Sequence, residues 1–279
     1  MKEINKRRSN SYINSISLEE ATKNIYFEDV KFIMDGKPEQ KFSTIIKKWY
    51  VYLASVFLPA LMIISLIASG SKYLPQTIIA IVIELAIIGY MTYKFLSPYC
   101  NFLRYWGYEK TRYSLVKMAY ISLFSIGYGM DEGSYIINFL VVTMCIITFL
   151  VLYEKVEENM IIEELNKRFN KQYKTSKTLN IMMKTSGLVV VVIFLAMQFY
   201  RINKWWLIDS VLPDSKTQAN FFDDLIGIFI GIPILLLITL IPTYFLFNSK
   251  SYVEAKVINR YAEDFRERYD YTKKEWYEG

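Results

Sequence analysis

The chain has 279 residues, 53% hydrophobic and 16% aromatic, with a formal net charge of +6 and no histidine. Without histidine the commonest general base and metal ligand are missing, and an HExxH zinc site is excluded. The apolar residues gather in blocks long enough for a bilayer, which takes about 20 residues as a helix. Lys and Arg flank those blocks, a pattern of membrane orientation rather than of nucleic-acid binding.

Residues 1–48 read as a cytosolic N-terminal arm with no leader-like apolar core after Met1. Ser17-Leu-Glu-Glu20 fits a capping box and predicts the start of a short helix. Tyr26 to Met34, then Asp35-Gly36, then Phe42 to Ile46 predict a β-hairpin, because Asp-Gly supplies the positive φ of a tight turn.

Residues 49–247 predict a membrane domain, with spans at about 49–69, 74–96, 113–130, 135–153, 187–203 and 225–247. The first opens on the interfacial aromatics Trp49, Tyr50 and Tyr52, and Pro59 predicts a kink within it. The second follows after Gly70-Ser-Lys-Tyr-Leu-Pro75, so the two form an antiparallel hairpin. Residues 97–112 mix aromatic and basic side chains, an interfacial composition.

The run from Tyr113 to Tyr153 is broken only at Met130-Asp131-Glu132-Gly133-Ser134, and it crosses once or twice. Two crossings leave only Lys72, Arg201, Lys204 and Lys216 of the 33 basic residues outside. One crossing divides the basic residues almost evenly, so the positive-inside rule selects two. Lys117 then lies near the cytoplasmic end of the third span, within snorkelling reach of the interface.

Residues 154–186 are charged, with Val156, Met160, Ile161, Leu165, Phe169 and Tyr173 on one apolar face. They predict an amphipathic helix on the membrane surface or under the bundle. Residues 248–279 predict a cytosolic C-terminal amphipathic helix, with Val257, Tyr261, Phe265 and Tyr269 spaced by four. A shift of 96 positions lays Ile161, Leu165, Phe169 and Tyr173 on those four. The resulting fold class is all-α: six transmembrane helices as three hairpins, with cytosolic amphipathic helices.

Glu84 is the foremost candidate site, a carboxylate in the middle of an apolar span. An ionised carboxylate at that depth costs about 2.5 kcal/mol or more, so it faces the bundle and takes a partner. Either it is a proton or cation site, or it stays protonated and bonds to Asn138, Thr143 or Gln198. In the last span Gly227 and Gly231 make a small-residue face, and Pro233 and Pro242 predict kinks or a broken helix. The outer connection 204–224 offers Trp205, Trp206, Asp214, Asp223 and Asp224 as a candidate external surface.

There is no Gly-rich phosphate loop, no GxSxG and no intramembrane aspartate pair. Cys100 and Cys145 have no CxxC partner, and no cofactor is expected. Abundant Ile, Lys, Asn and Tyr point to an AT-rich, bacterial source. The expected function is that of a non-enzymatic multi-pass protein of the cell membrane, with both termini cytoplasmic. It would act by association with a protein partner within the lipid bilayer, as an immunity protein against a membrane-active toxin or as an accessory of a secretion or export system. The alternative is a small-solute or ion transporter or channel that uses Glu84. No nucleic-acid partner is expected.

Overall fold

The computed structural model describes residues 7–36, 44–68, 74–97, 102–125, 135–188, 237–238 and 240–277, and among them every regular element is a helix. The chain divides into one unit of residues 1–175 with 246–279 and a second of residues 176–245.

In the first unit, α1 (Arg7–Asn14), α2 (Leu18–Asn24) and α3 (Phe27–Asp35) follow in close succession. The box at the start of α2 forms as its residues require: Ser17 Oγ accepts from Glu20 N at 3.2 Å, and Glu20 Oε2 accepts from Ser17 N at 3.3 Å. The expected hairpin is replaced by a helix. Val30, Ile33 and Met34 are buried at helical spacing along α3, and Asp29 holds its first turn by accepting from Tyr26 N. Asp35-Gly36 ends that helix: Gly36 has φ +76° and donates its N–H to Phe32 O at 2.8 Å.

A Cβ on Gly36 would stand 2.6 Å from Tyr105 Cδ2. Gly36→Ala is therefore expected to cost more than about 1 kcal/mol, from the left-handed φ and the displaced ring together. Thermal unfolding of the purified chain in detergent measures this, and an unchanged midpoint would contradict the packing.

Next come α4 (Thr44–Ala68) and α5 (Leu74–Leu96), which pack on each other and on α6 (Arg104–Ser125). Both α4 and α5 are long and apolar enough to cross a membrane. α4 runs through Pro59, whose side is buried, as is Ser55 one turn earlier. Tyr50, Leu53, Phe57, Leu61, Ile64 and Ile67 form its exposed stripe; Ile78, Val82, Leu85, Tyr93 and Leu96 lie exposed along α5. Apolar surface this continuous is foreign to a water-facing monomer and suits acyl chains. Phe139, Leu140, Met144, Ile147 and Val151 extend it onto α7 (Tyr135–Phe169).

α7 carries its apolar first half and its charged second half in one unbroken helix of 35 residues. At 1.5 Å per residue it is about 53 Å long, well beyond a bilayer core of about 30 Å. The charged region up to Phe169 thus continues the apolar helix instead of forming a helix of its own. Asn170, at φ +49°, closes α7, and Tyr173 falls beyond it in a non-helical connection.

The C-terminal segment is not one helix but three: α9 (Ser249–Arg260), α10 (Ala262–Arg268) and α11 (Lys273–Tyr277), after α8 (Ile241–Leu246). Asn248 caps α9 by accepting from Ser251 N at 3.1 Å. The apolar faces matched by the 96-residue shift meet in one core. Ile161, Leu165 and Phe169 of α7 pack there with Val257 and Phe265, and Tyr173, Tyr261 and Tyr269 lie at its edge. Ile13, Ile16, Ile25, Val30 and Ile33 complete it from the N-terminal helices, and fully buried Trp276 stacks on Phe102 at 5.4 Å. We call this assembly of α1–α3, distal α7 and α9–α11 the helical module.

In the second unit, the helical stretch 177–188 begins at Ser176, whose carbonyl accepts from Asn180 N at 3.2 Å. Its Gly187 lies close to the ring of Tyr244 on α8. Pro242 stands in the first turn of α8, where the missing N–H removes no bond within that helix, and helical residues 237–238 precede it with a turn at Leu240.

Candidate functional site

Among the described residues of the first unit, several polar side chains are buried between helices, and three centres stand out. Along α5 that stripe runs Ala80, Glu84, Ile87, Met91 and Phe95, and Glu84 is fully buried. One turn before it, Ala80 packs with Leu66 of α4 and Val142 of α7; one turn after it, Ile87 packs with Leu115 and Ala119 of α6 and Phe149 of α7. Glu84 therefore lies at the meeting of four helices, on the side of α5 opposite its exposed apolar stripe.

The second centre joins α6 to α7. Glu157 Oε1 accepts from the Tyr113 hydroxyl at 2.6 Å and from Lys117 Nζ at 2.7 Å. Lys117 Nζ also lies 4.5 Å from the centroid of the Tyr153 ring. Lys117 thus turns inward to a carboxylate and a π-face instead of snorkelling outward. Its charge is neutralised where desolvation strengthens the pair.

The third centre is in the helical module. Arg168, near the end of α7, donates from Nε and Nη2 to Asn24 O at 3.1 and 3.0 Å, and from Nη2 to Asp29 Oδ2 at 2.5 Å. Its Nη1 donates to Glu254 Oε1 of α9. Lys250 completes a quartet, with Nζ 3.1 Å from Asp29 Oδ1 and 3.6 Å from Glu254 Oε1. One planar guanidinium thereby ties the α2–α3 connection, α3 and α9 to α7, a task for which its forked donors suit it better than an ammonium.

The two carboxylates of the quartet separate in basicity. Glu254 is only 1% exposed, and burial with the nearby Asp29 charge outweighs Arg168 to push it up to about 7. Asp29 is held below its ordinary value: burial pushes it up, but Lys250, the Tyr26 N–H and Arg168 together prevail. A carboxyl whose folded value is raised from 4.5 to about 7 supports the fold fully below its unfolded value, and that support is lost as pH rises through 7. The module is therefore expected to lose about 2 kcal/mol between roughly pH 5 and pH 8. Glu254→Gln should flatten that limb, while the acid limb set by Asp29 persists below about pH 4. Denaturant titrations at several pH values read this directly, and an identical slope in the variant would contradict it.

At the junction of α6 and α9, Glu109 is buried and receives the Ser251 and Asn248 side chains at the N-terminus of α9. Burial raises its pKa above the usual carboxylate range. The exposed N–H groups of that helix end favour its negative charge.

Of the candidates from the sequence, Glu84 and Thr143 stand in α5 and α7, and Pro59 and Pro242 in α4 and α8. Asn138 is in the first turn of α7, its side chain outside those described. Gln198, Trp205, Trp206, Asp214, Asp223, Asp224, Gly227, Gly231, Pro233 and the Asp131-Glu132-Gly133 turn lie outside the described residues. The sequence reading passed over Arg168, Glu157 and Glu254. A signal existed for two of them: Arg168 directly precedes Phe169 on the apolar face of α7, and Glu157 follows Val156. Set against families of proteins, curated proteins and solved structures, the chain finds no match in any of the three comparisons.

Proposed function

We propose that this is a non-enzymatic bacterial integral membrane protein of six spans, with both termini on the cytoplasmic face, that acts by association. It would serve as an immunity protein against a membrane-active toxin or as an accessory of a secretion or export system. One observation carries the reading: residues 7–36, distal α7 and residues 249–277 share a single core. Segments that share a core lie on the same side of a membrane. An even number of crossings therefore separates α3 from distal α7, and another even number separates distal α7 from α9. Four spans and then two satisfy this parity; a single crossing within 113–153 does not. The distribution of lysine and arginine independently favours the same side for all three segments.

Association is supported by how the buried charges are used. Arg168, Asp29, Glu254 and Lys250 bond to one another, as do Lys117 and Glu157, so they hold helices together instead of facing a substrate. A reporter fused at Glu132 is expected to be active only on the outer face, and one fused after Tyr277 only on the inner face. Signals on the same face would refute six spans. Association is tested by expression in a toxin-sensitive strain beside the neighbouring genes: protection, or a co-purifying partner, is expected, and neither appearing would sink the proposal.

The full burial of Glu84 at a four-helix junction favours one second reading, a small-solute or ion transporter. In that case Glu84→Gln abolishes flux in proteoliposomes while helicity is kept. Equal flux in both proteins removes Glu84 from consideration.

A further inference from the structure

We propose that the end of the α4–α5 hairpin nearest Lys48 and Lys94 is a binding surface for anionic phospholipid headgroups. The inference rests on the reading that α4 and α5 cross the membrane.

The first observation is a fixed aromatic platform. The Phe95 ring centroid lies 4.5 Å from Trp49 and 4.5 Å from Tyr52, and Trp49 meets Tyr52 edge-on at 6.0 Å. The Tyr52 hydroxyl and Thr92 Oγ1 are 2.8 Å apart, which pins α4 to α5 at that level. Phe95 is buried, whereas Trp49 and Tyr93 are exposed. The rings therefore present an amphipathic rim at one fixed depth, as interfacial aromatics do at the headgroup layer.

The second observation is the charge set on that rim. Lys48 Nζ lies 4.6 Å above the Phe95 ring, and Lys94 Nζ lies 5.6 Å from the Tyr90 centroid. Lys47 is exposed beside them on α4. Three ammonium groups thus gather at the same end of the hairpin. Between Thr44 and Ser97 the sole acidic residue is Glu84. It stands ten positions before Lys94, about 15 Å away along the helix, and is buried. The rim is accordingly cationic and aromatic, with Lys47 exposed and Lys48 and Lys94 half-buried against rings.

The third observation is what lies next to the rim. Leu53 and Phe57 continue down α4, and Leu85 and Ile78 down α5, as exposed apolar surface. A ligand for this face needs an anion at the level of the lysines and a long apolar body beneath it. Phospholipids with a net negative headgroup meet both requirements. Zwitterionic lipids meet only the second, and inorganic phosphate only the first.

The test uses the full chain reconstituted in vesicles that mix phosphatidylcholine with phosphatidylglycerol, each in turn spin-labelled on its acyl chain. The motionally restricted fraction reports the lipid in contact with the protein. Phosphatidylglycerol is expected to be selected about fivefold over phosphatidylcholine at low salt, with the selection fading as salt is raised. The triple variant K47Q/K48Q/K94Q should bring the ratio close to one. A control, K174Q/K177Q/K184Q, removes the same number of charges elsewhere and should keep the ratio. Millimolar inorganic phosphate should not compete.

No selection by the parent chain, or an unchanged ratio in the first triple variant, would overturn the inference while leaving the membrane reading intact, provided that the chain resists alkaline extraction from the vesicles. Extraction by alkali would overturn both. Competition by free phosphate would reassign the lysines to a soluble anion and also overturn the proposal.

Discussion

A chain carrying Arg168→Met is expected to lose about 3–5 kcal/mol of stability in the helical module, the usual cost of removing one partner from a buried ionic network. The methionine fills much of the volume but leaves two carboxylates, Asp29 and Glu254, beside the single ammonium of Lys250. It also strips the Asn24 carbonyl of both its guanidinium donors. Part of the loss is relieved by protonation of Glu254, whose burial already favours the neutral acid. Arg168→Lys should recover less than half of it, because one ammonium cannot span Asn24, Asp29 and Glu254 together. Hydrogen exchange on the full chain in detergent gives the readout. Protection in α3 and α9 is expected to fall, while that in α4 and α5 stays. Unchanged protection in α3 and α9 would show that the quartet does not hold the module.

Lys117→Met is expected to have an effect of similar size, about 3–5 kcal/mol, in the bundle of α4–α7. Glu157 is buried, and the variant removes the ammonium that balances its charge while the Tyr113 hydroxyl stays in place. The cation is also the group that lies against the Tyr153 ring, so removing it takes a contact from both neighbours. The double variant K117M/E157Q should restore most of the stability, since the penalty lies in a buried carboxylate charge whose cation is gone and not in the lost attraction. Unfolding in mixed micelles, followed by loss of helical circular dichroism, measures all three proteins. A double variant no better than the single would place the cost in packing instead.

Local features of this chain are legible in its sequence because they depend on neighbours along the backbone. The box at Ser17 and Glu20 and the bounds of α5 are of this kind. The apolar faces at Ile161, Leu165 and Phe169 and at Val257 and Phe265 also appear in the periodicity. What covers them does not. A 3.6-residue stripe has the same pattern whether lipid or protein lies against it, and here the two stripes cover each other.

The failure at Asp35-Gly36 has a similar cause. A glycine with positive φ closes a helix as readily as it turns a hairpin. The spacing of Val30, Ile33 and Met34 was the evidence that decides between them. Lys117 and Glu157 stand 40 positions apart, and Arg168 and Glu254 stand 86 apart. No periodicity connects such pairs. The burial of Glu84 was legible because an acid in a long apolar run is conspicuous alone; its four-helix surroundings were not.

The shared core also sets an order on biosynthesis. The α1–α3 segment leaves the ribosome well before Val257, Phe265 and Trp276, which cover its apolar faces. At about 5–20 residues per second, the roughly 200 residues in between take on the order of 10–40 s to make. During that interval Ile13, Ile16, Ile25, Val30 and Ile33 await their cover. Nascent chains arrested after Phe247 should therefore be cut by protease within α1–α3, and chains extended past Trp276 should resist it. Burial of the N-terminal helices would then report that the segment carrying Trp276 has been made.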